Sequence, residues 1–104
     1  CRIALVILEH AILQVRPGQS ESFEAAMAKA RPLVARQPGF QSIELRPSSD
    51  DPHRYLLLIK WDRIESHRER FRQSDDYQQW RILLHDFYDP MPVVNYYGRS
   101  IFHD

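Results

Sequence analysis

Trp61, Arg81 and His85 have side chains whose types suit chemistry on a small molecule. The indole of Trp61 can form a flat wall. The Arg81 guanidinium can bind a phenolate or a carboxylate, and the His85 imidazole titrates near neutral pH and can act as a base. Each residue also has a purely structural interpretation: a core tryptophan, a solvated helix charge, and a helix C-terminal residue that interacts with the helix dipole. All three are therefore candidates whose roles depend on where the fold places them.

Other catalytic and metal-binding patterns are missing from the sequence. It contains no GxSxG, P-loop or GxGxxG motif, and no Cys/His set with zinc-site spacing. We therefore expect neither a metal site nor a bound cofactor. Glu9 and His10 are adjacent, but successive strand residues point to opposite faces, so they cannot form one dyad. The favoured interpretation of His10 is a buried, hydrogen-bonded residue at a dimer interface.

Charge and cysteine content limit the classes of partner and compartment. The 104 residues include 14 basic and 14 acidic side chains, so the formal net charge is zero, which argues against nucleic-acid binding and gives no polybasic attraction to anionic lipid. The apolar run IALVIL is too short to span a bilayer. Cys1 is the single cysteine, so no intrachain disulfide can form. We expect a cytoplasmic protein that binds neither nucleic acid nor membrane.

The hydrophobic pattern predicts four strands and two helices in one domain spanning residues 1–104. The second helix is expected in two parts, with a restart and N-cap at Ser74, whereas Ser20 is the expected N-cap of the first helix. Pro32 is expected to kink or end the first helix in its last turn. The predicted elements are strand 3–16, helix 20–36, strand 40–46, strand 54–61, the two-part helix 62–87 and strand 93–97.

This β-α-β-β-α-β order predicts an α+β, ferredoxin-like fold: a four-stranded antiparallel sheet with both helices on one face. The third strand is apolar on both faces, with Tyr55, Leu57, Ile59 and Trp61 on one and Leu56 and Leu58 on the other. Two helices cover only one face of such a sheet, so something else must cover the other. A second copy of the chain is the simplest solution, and we expect a homodimer.

Two segments, WDRIESHRERFRQSDDYQQWRILLHDFYDP and VRPGQSESFEAAM, resemble the antibiotic biosynthesis monooxygenase family. The resemblance covers most of residues 6–97, the expected core of the domain. It implies a ferredoxin-like chain that pairs sheet to sheet as a dimeric α+β barrel. Some members oxidise polyphenolic anthrones to quinones with O2 and without metal or flavin. Others open haem, and many have no assigned activity.

Residues at individual sequence positions distinguish the haem-degrading branch of the family from the quinone-forming branch. The haem-degrading branch has an Asn on the first strand and a Trp and a His on the second helix, where this chain has Ala11, Phe71 and Arg81. The resemblance therefore implies no haem chemistry. The quinone-forming branch has a Trp at the end of the third strand and an Arg on the second helix, which Trp61 and Arg81 match. Leu57 replaces that branch's Asn.

Two hypotheses about function follow and stay open at this point. The first is a cofactor-independent monooxygenase that oxidises an aromatic, polyphenolic small molecule with O2 in a pocket between helices and sheet. Trp61, His85 and Arg81 would be its catalytic residues. The second is a non-catalytic, dimeric module that binds a small apolar molecule. Both hypotheses require an apolar pocket.

Overall fold

The computed structural model describes residues 7–63 and 66–102. Within these ranges the chain forms four strands, two α-helices, a π-helical segment and a short 3-10 turn. In chain order they are β1 (Ile7–Gln14), α1 (Ser20–Ala35), β2 (Phe40–Pro47), β3 (Arg54–Trp61), the π-helical segment Ser66–Phe71, α2 (Asp75–Leu84), the 3-10 turn His85–Phe87 and β4 (Val94–Tyr97). Residues 3–6 of the predicted first strand, and Ile64 and Glu65 of the predicted second helix, lie outside the described ranges.

The strands form one antiparallel sheet in the order β2-β3-β1-β4. β1 and β3 are the central pair, and their register sets Ile7 opposite Trp61 and Ala11 opposite Leu57. β4 extends the sheet on the other side of β1, with Tyr96 opposite Glu9. This topology confirms the predicted α+β, ferredoxin-like fold.

The sheet has one fully buried face and one half-exposed face. Alternation along β3 buries Leu57, Ile59 and Trp61, whereas Leu56 and Leu58 on the opposite face are only half-buried. The same alternation along β1 places Glu9, Ala11 and Leu13 on the buried face. The hydrophobic core therefore lies between this face and the helices, and the half-exposed face carries an apolar surface that no described residue covers.

α1 packs on the sheet through one stripe of side chains. Phe23, Met27, Ala30 and Val34 are spaced for a single helix face and are all buried, as the sequence predicts. α2 begins at the predicted N-cap, because the Oγ of Ser74 accepts a hydrogen bond from the backbone N–H of Tyr77 at 3.1 Å.

One prediction about α1 is wrong, and a second is wrong in one of its two alternatives. Ser20 is the first helical residue and not the N-cap, since its hydroxyl donates instead to the carbonyl of Pro52 at 3.0 Å, in the loop between β2 and β3. Pro32 does not end the helix, which continues to Ala35, and the alternative of a kink in the last turn stays a prediction. A proline there removes the one hydrogen bond that would reach the carbonyl of Ala28, and Ala28 is exposed, so water can solvate this carbonyl.

The segment before α2 also differs from the regular helix that its apolar spacing predicts. Ser66–Phe71 is wound as a π-helix, a rare form that often occurs near functional sites. Phe71 ends it and is fully buried, with its ring 6.2 Å from that of Trp61 and 5.8 Å from that of Trp80. This segment therefore delivers Phe71 to the core beneath α2.

A polar cluster joins the end of α1 to the start of α2. The guanidinium of Arg36 donates to both carboxylate oxygens of Asp76, at 2.9 and 2.5 Å, and the side-chain amide of Gln37 donates to the same carboxylate at 2.7 Å. Such a bidentate pair fixes orientation as well as distance. It holds the N-terminal end of α2 against α1. Neither helix is long and apolar enough to cross a membrane.

Candidate functional site

A cavity of about 380 Å³ lies between α2 and the buried face of the sheet. The sheet contributes Ala11 and Leu13 from β1, Leu57 from β3 and Val94 from β4. These side chains are apolar and come from the face that alternation turns toward the helices. The sheet side of the cavity is therefore mostly hydrophobic, as in pockets that hold small organic ligands.

The opposite wall comes from α2 and the turn that follows it. Tyr77, Arg81 and His85 recur every four residues, so they share one helical stripe, and all three line the cavity. Trp80, on the adjacent stripe, also lines it and is buried. The helical period thus brings a guanidinium and an imidazole to the same side of an apolar space.

Glu9 is the acidic residue of the cavity wall. It lies on the buried face of β1 and only 4% of its surface is exposed. Burial raises the pKa of Glu9 from 4.5 to about 7, although a hydrogen bond from Trp61 and the charge of Arg72 both favour the ionised form. Near neutral pH this carboxyl group is therefore able to take up and release a proton.

Trp61 lies behind Glu9 and is not among the residues that line the cavity. Its side chain is completely buried, and its Nε1–H donates to Oε1 of Glu9 at 2.9 Å. The rings of Phe40 and Phe71 lie 6.0 and 6.2 Å from the indole. The structure therefore connects Trp61 to the cavity through the Glu9 carboxylate and not through its own ring face.

Arg81 and His85 are brought together as neighbours one helical turn apart. Partial burial, followed by the positive charge of Arg81, lowers the pKa of His85 below its ordinary value, whereas Asp86 acts in the opposite direction. His85 is thus neutral at pH 7 and can accept a proton. Its ring lies 6.1 Å from that of Tyr88, another wall residue, and burial raises the pKa of the Tyr88 phenol.

Glu9 is the residue that sequence reasoning missed, because its adjacency to His10 gives no dyad on a strand. Its signal was nevertheless readable: it occupies one position of the β1 alternation whose other members, Ala11, Leu13 and Val15, are apolar. A carboxylate on such a face must be buried, and buried carboxylates often mark functional sites.

The side chains of the described residues also bear on whether this site could hold a metal ion or haem. Within residues 7–63 and 66–102, no three His, Cys, Asp or Glu side chains are grouped closely enough to hold a metal ion. Of the three positions that distinguish the haem-degrading branch, Ala11 and Arg81 line the cavity and Phe71 is packed in the core. None of the three offers an imidazole to haem iron.

Comparisons with known proteins find similarity over most of the length of this chain. The family model described as "Antibiotic biosynthesis monooxygenase" matches residues 6–82. The uncharacterized protein YczJ of Bacillus subtilis (strain 168) is 37% identical over 92 residues, which cover 88% of this chain and 97% of YczJ.

Solved structures agree with this result. A Bordetella bronchiseptica protein named for the same family superposes with a TM-score of 0.88 at 36% identity, covering 93% of this chain and 99% of its own. SnoaB of Streptomyces nogalater, described as a cofactor-independent oxygenase, superposes with a TM-score of 0.73 at 19% identity, covering 98% and 97%, and at that identity the likeness concerns the fold. The chain belongs to the antibiotic biosynthesis monooxygenase family.

Proposed function

We propose that this protein is a homodimeric, cofactor-independent monooxygenase that oxidises an aromatic, polyphenolic small molecule with O2. The proposed site is the cavity between α2 and the sheet, and the proposed functional residues are His85 and Arg81, which line it, and Trp61, which contacts the lining residue Glu9. The observation that carries the proposal is the convergence of Arg81, His85 and Glu9 on one mainly apolar cavity, in a chain of this family. The description of SnoaB as a cofactor-independent oxygenase supports the same reaction class.

The size and lining of the cavity suit such a substrate. A volume of about 380 Å³ falls within the range of roughly 300–1,000 Å³ that is usual for small-molecule sites. Leu57 and Leu13 provide apolar contact for a flat ring system, and Trp80 and Tyr77 provide aromatic surface on the helix side. An aromatic molecule held there would be shielded from water on the sheet side.

The proposed reaction converts an activated methylene group into a carbonyl group. One oxygen atom of O2 enters the product, and the other leaves as water together with the two methylene hydrogens, so all four electrons come from the substrate carbon. Loss of a proton starts the reaction, and His85, neutral at pH 7, is one base that can accept it. The Arg81 guanidinium stabilises the resulting phenolate or enolate oxygen.

The dimer is part of this proposal. The half-exposed face of the sheet leaves Ile12 and Tyr97 52% and 51% exposed, beside the half-buried Leu56 and Leu58. His10 lies on the same face with its Nδ1 buried and without a hydrogen-bond partner among the described residues. A second copy packed on this face would cover the apolar side chains and offer His10 a partner. The location of the protein in the cytoplasm, expected from the sequence, also stays a prediction.

One observation favours the alternative of a non-catalytic binding module. Leu57, which replaces the Asn of the quinone-forming branch, lines the cavity and is 4% exposed. The sheet wall therefore lacks one polar group of that branch. Under this alternative the same cavity binds a small apolar molecule without turnover.

The deciding experiment measures O2 uptake with the anthrone dithranol, without added metal or flavin. Anthrones also react slowly with O2 unaided, so heat-denatured protein sets the background. We expect uptake well above that background in wild-type protein and a large loss in His85→Ala and Trp61→Phe. Melting temperature and dimer mass, measured on each variant, separate lost chemistry from lost folding. Binding of the anthrone without uptake would favour the binding module.

A further inference from the structure

We propose that Glu9 is a catalytic residue of this site and accepts the proton that the substrate loses, and that Trp61 acts as its positioning residue. This inference rests on the proposed function, because it concerns the same cavity and reaction. It assigns a role to a residue outside the proposed set of Trp61, His85 and Arg81.

The location of Glu9 is the first argument. Among the residues whose side chains the structure describes, Glu9 is the single charged residue that is buried, and it is buried in a cavity wall. Removing a carboxylate from water is costly, and an apolar side chain of similar size often serves a core as well or better. Its neighbours on the same face of β1, Ala11 and Leu13, show that this face otherwise takes apolar residues. We interpret a carboxylate that lies there and faces the cavity as a group that acts on the ligand.

The hydrogen bond from Trp61 is the second argument. The Nε1–H group approaches Oε1 of Glu9 at 2.9 Å, and the indole is completely buried between other aromatic rings. A donor fixed in this way sets the orientation of the carboxylate in the wall. Trp61 therefore controls the direction in which Glu9 faces the cavity, which accounts for a tryptophan near the site whose ring does not line it.

The proton affinity of Glu9 fits this role. A general base works best when its pKa lies near the working pH, and burial brings the pKa of Glu9 to about 7. Other titratable or charged groups also face it or the cavity that it lines, and each influences its ionisation. Among the described residues they include Arg72 after the π-helical segment, Tyr77 and Arg81 on α2, His85 and Tyr88 after α2, and Tyr96 opposite it on β4.

The proposed step breaks one C–H or O–H bond of the substrate. The proton passes to a carboxylate oxygen of Glu9, and the electron pair stays on the substrate as an enolate or phenolate. That anion then reacts with O2, and Glu9 returns its proton to the water that leaves. The substrate class follows: the group beside Glu9 is a neutral weak acid, such as an aromatic hydroxyl or an activated methylene, because an anion there would be repelled.

The test separates proton abstraction from oxygenation. In D2O without O2, a base that removes a methylene proton of dithranol exchanges it for deuterium, which mass spectrometry detects. We expect wild-type protein to accelerate this exchange and Glu9→Gln to reduce the acceleration about 100-fold or more, as is usual for loss of a general base. Glu21→Gln, an exposed residue of the first turn of α1 that does not line the cavity, is the matched control and keeps the wild-type rate.

The pH profile tests the role of Trp61. In wild-type protein the exchange rate should rise with pH through a limb near pH 7, because Glu9 must be ionised. Trp61→Phe removes a hydrogen bond that favours the ionised form, so this limb should move to higher pH. A purely structural role of Trp61 would lower the amount of folded protein and leave the limb in place.

Each outcome decides between the two proposals. Exchange and O2 uptake that are both lost in Glu9→Gln support the inference. Exchange that Glu9→Gln retains overturns it and leaves the oxygenase proposal intact. Exchange by wild-type protein that Glu9→Gln loses, without O2 uptake in either protein, refutes oxygenation but supports Glu9 as the proton acceptor. The absence of both in folded wild-type protein overturns both proposals.

Discussion

Glu9→Gln gives a prediction about stability that needs no substrate. Glutamine has nearly the shape of glutamate, and its side-chain oxygen can still accept the hydrogen bond from Trp61, but it does not ionise. In the folded protein the pKa of Glu9 is about 7, compared with 4.5 for an exposed glutamate. Each pKa unit corresponds to about 1.4 kcal/mol, so ionisation of Glu9 costs the folded state about 3 kcal/mol.

The sign of the pH dependence of stability follows from the number of protons that the folded and unfolded states bind. Between about pH 4.5 and pH 7 the folded protein holds the Glu9 proton while the unfolded chain has released it. The free energy of unfolding of the wild-type protein therefore falls as pH rises through this window, and the loss is complete above pH 7. Glu9→Gln lacks this contribution. We expect the variant to match wild-type stability near pH 4.5 and to exceed it by up to about 3 kcal/mol at pH 8.

Urea denaturation, followed by far-ultraviolet circular dichroism at one fixed protein concentration, measures both proteins at pH 4.5, 6 and 8. The difference between variant and wild type cancels the titration of all other groups that the substitution leaves unchanged. Glu21→Gln serves as a control and should show no comparable pH-dependent difference. A difference between Glu9→Gln and wild type that stays constant from pH 4.5 to pH 8 would refute the assignment of a raised pKa to Glu9.

Three further predictions concern Trp61, the dimer and haem. Trp61→Phe should lower the free energy of unfolding by about 1–3 kcal/mol in urea denaturation, because it removes core volume and a buried hydrogen bond. Light scattering at micromolar concentration should give about twice the chain mass of 12.4 kDa, and Leu58→Asp should shift the protein toward monomer while Ala25→Asp, on the exposed side of α1, should not. A clean wild-type monomer would contradict the barrel. Haem titration should give no stoichiometric Soret shift, and a stable one-to-one complex would show that reasoning from the missing haem-branch residues is wrong.

The parts of the fold that depend on local periodicity were predictable. The two-residue alternation of β1 and β3 correctly assigned both faces of the sheet, and the stripe from Phe23 to Val34 identified the buried side of α1. The role of Ser20 was not predictable, because its hydroxyl bonds to Pro52 in a loop 32 residues away. The π-helical winding of Ser66–Phe71 likewise has no marker in a pattern that reads as an ordinary helix.

The site could be predicted only in part, for a physical reason. The residue types of Arg81 and His85 made both of them site candidates, and the structure puts both in the cavity wall. The contact between Trp61 and Glu9 joins residues 52 positions apart on neighbouring strands. Their pairing depends on a register that sets Ile7, two residues before Glu9, opposite Trp61, and single-sequence patterns do not specify such a register. The raised pKa of Glu9 depends in turn on burial by the assembled fold.

The two adjacent stripes of α2 have a consequence for how this protein can evolve. Trp80 and Leu84 are buried and hold the helix on the core, whereas Arg81 and His85, each one residue further along, line the cavity and are more exposed than Trp80, which also lines it. If the cavity is the proposed substrate site, mutations at Arg81 and His85 change which molecules it accepts with little loss of folding stability. Because its N-terminal end is anchored separately, the helix can accumulate such changes without losing its place. The residues that line the cavity can thus vary while the architecture of this small domain stays constant.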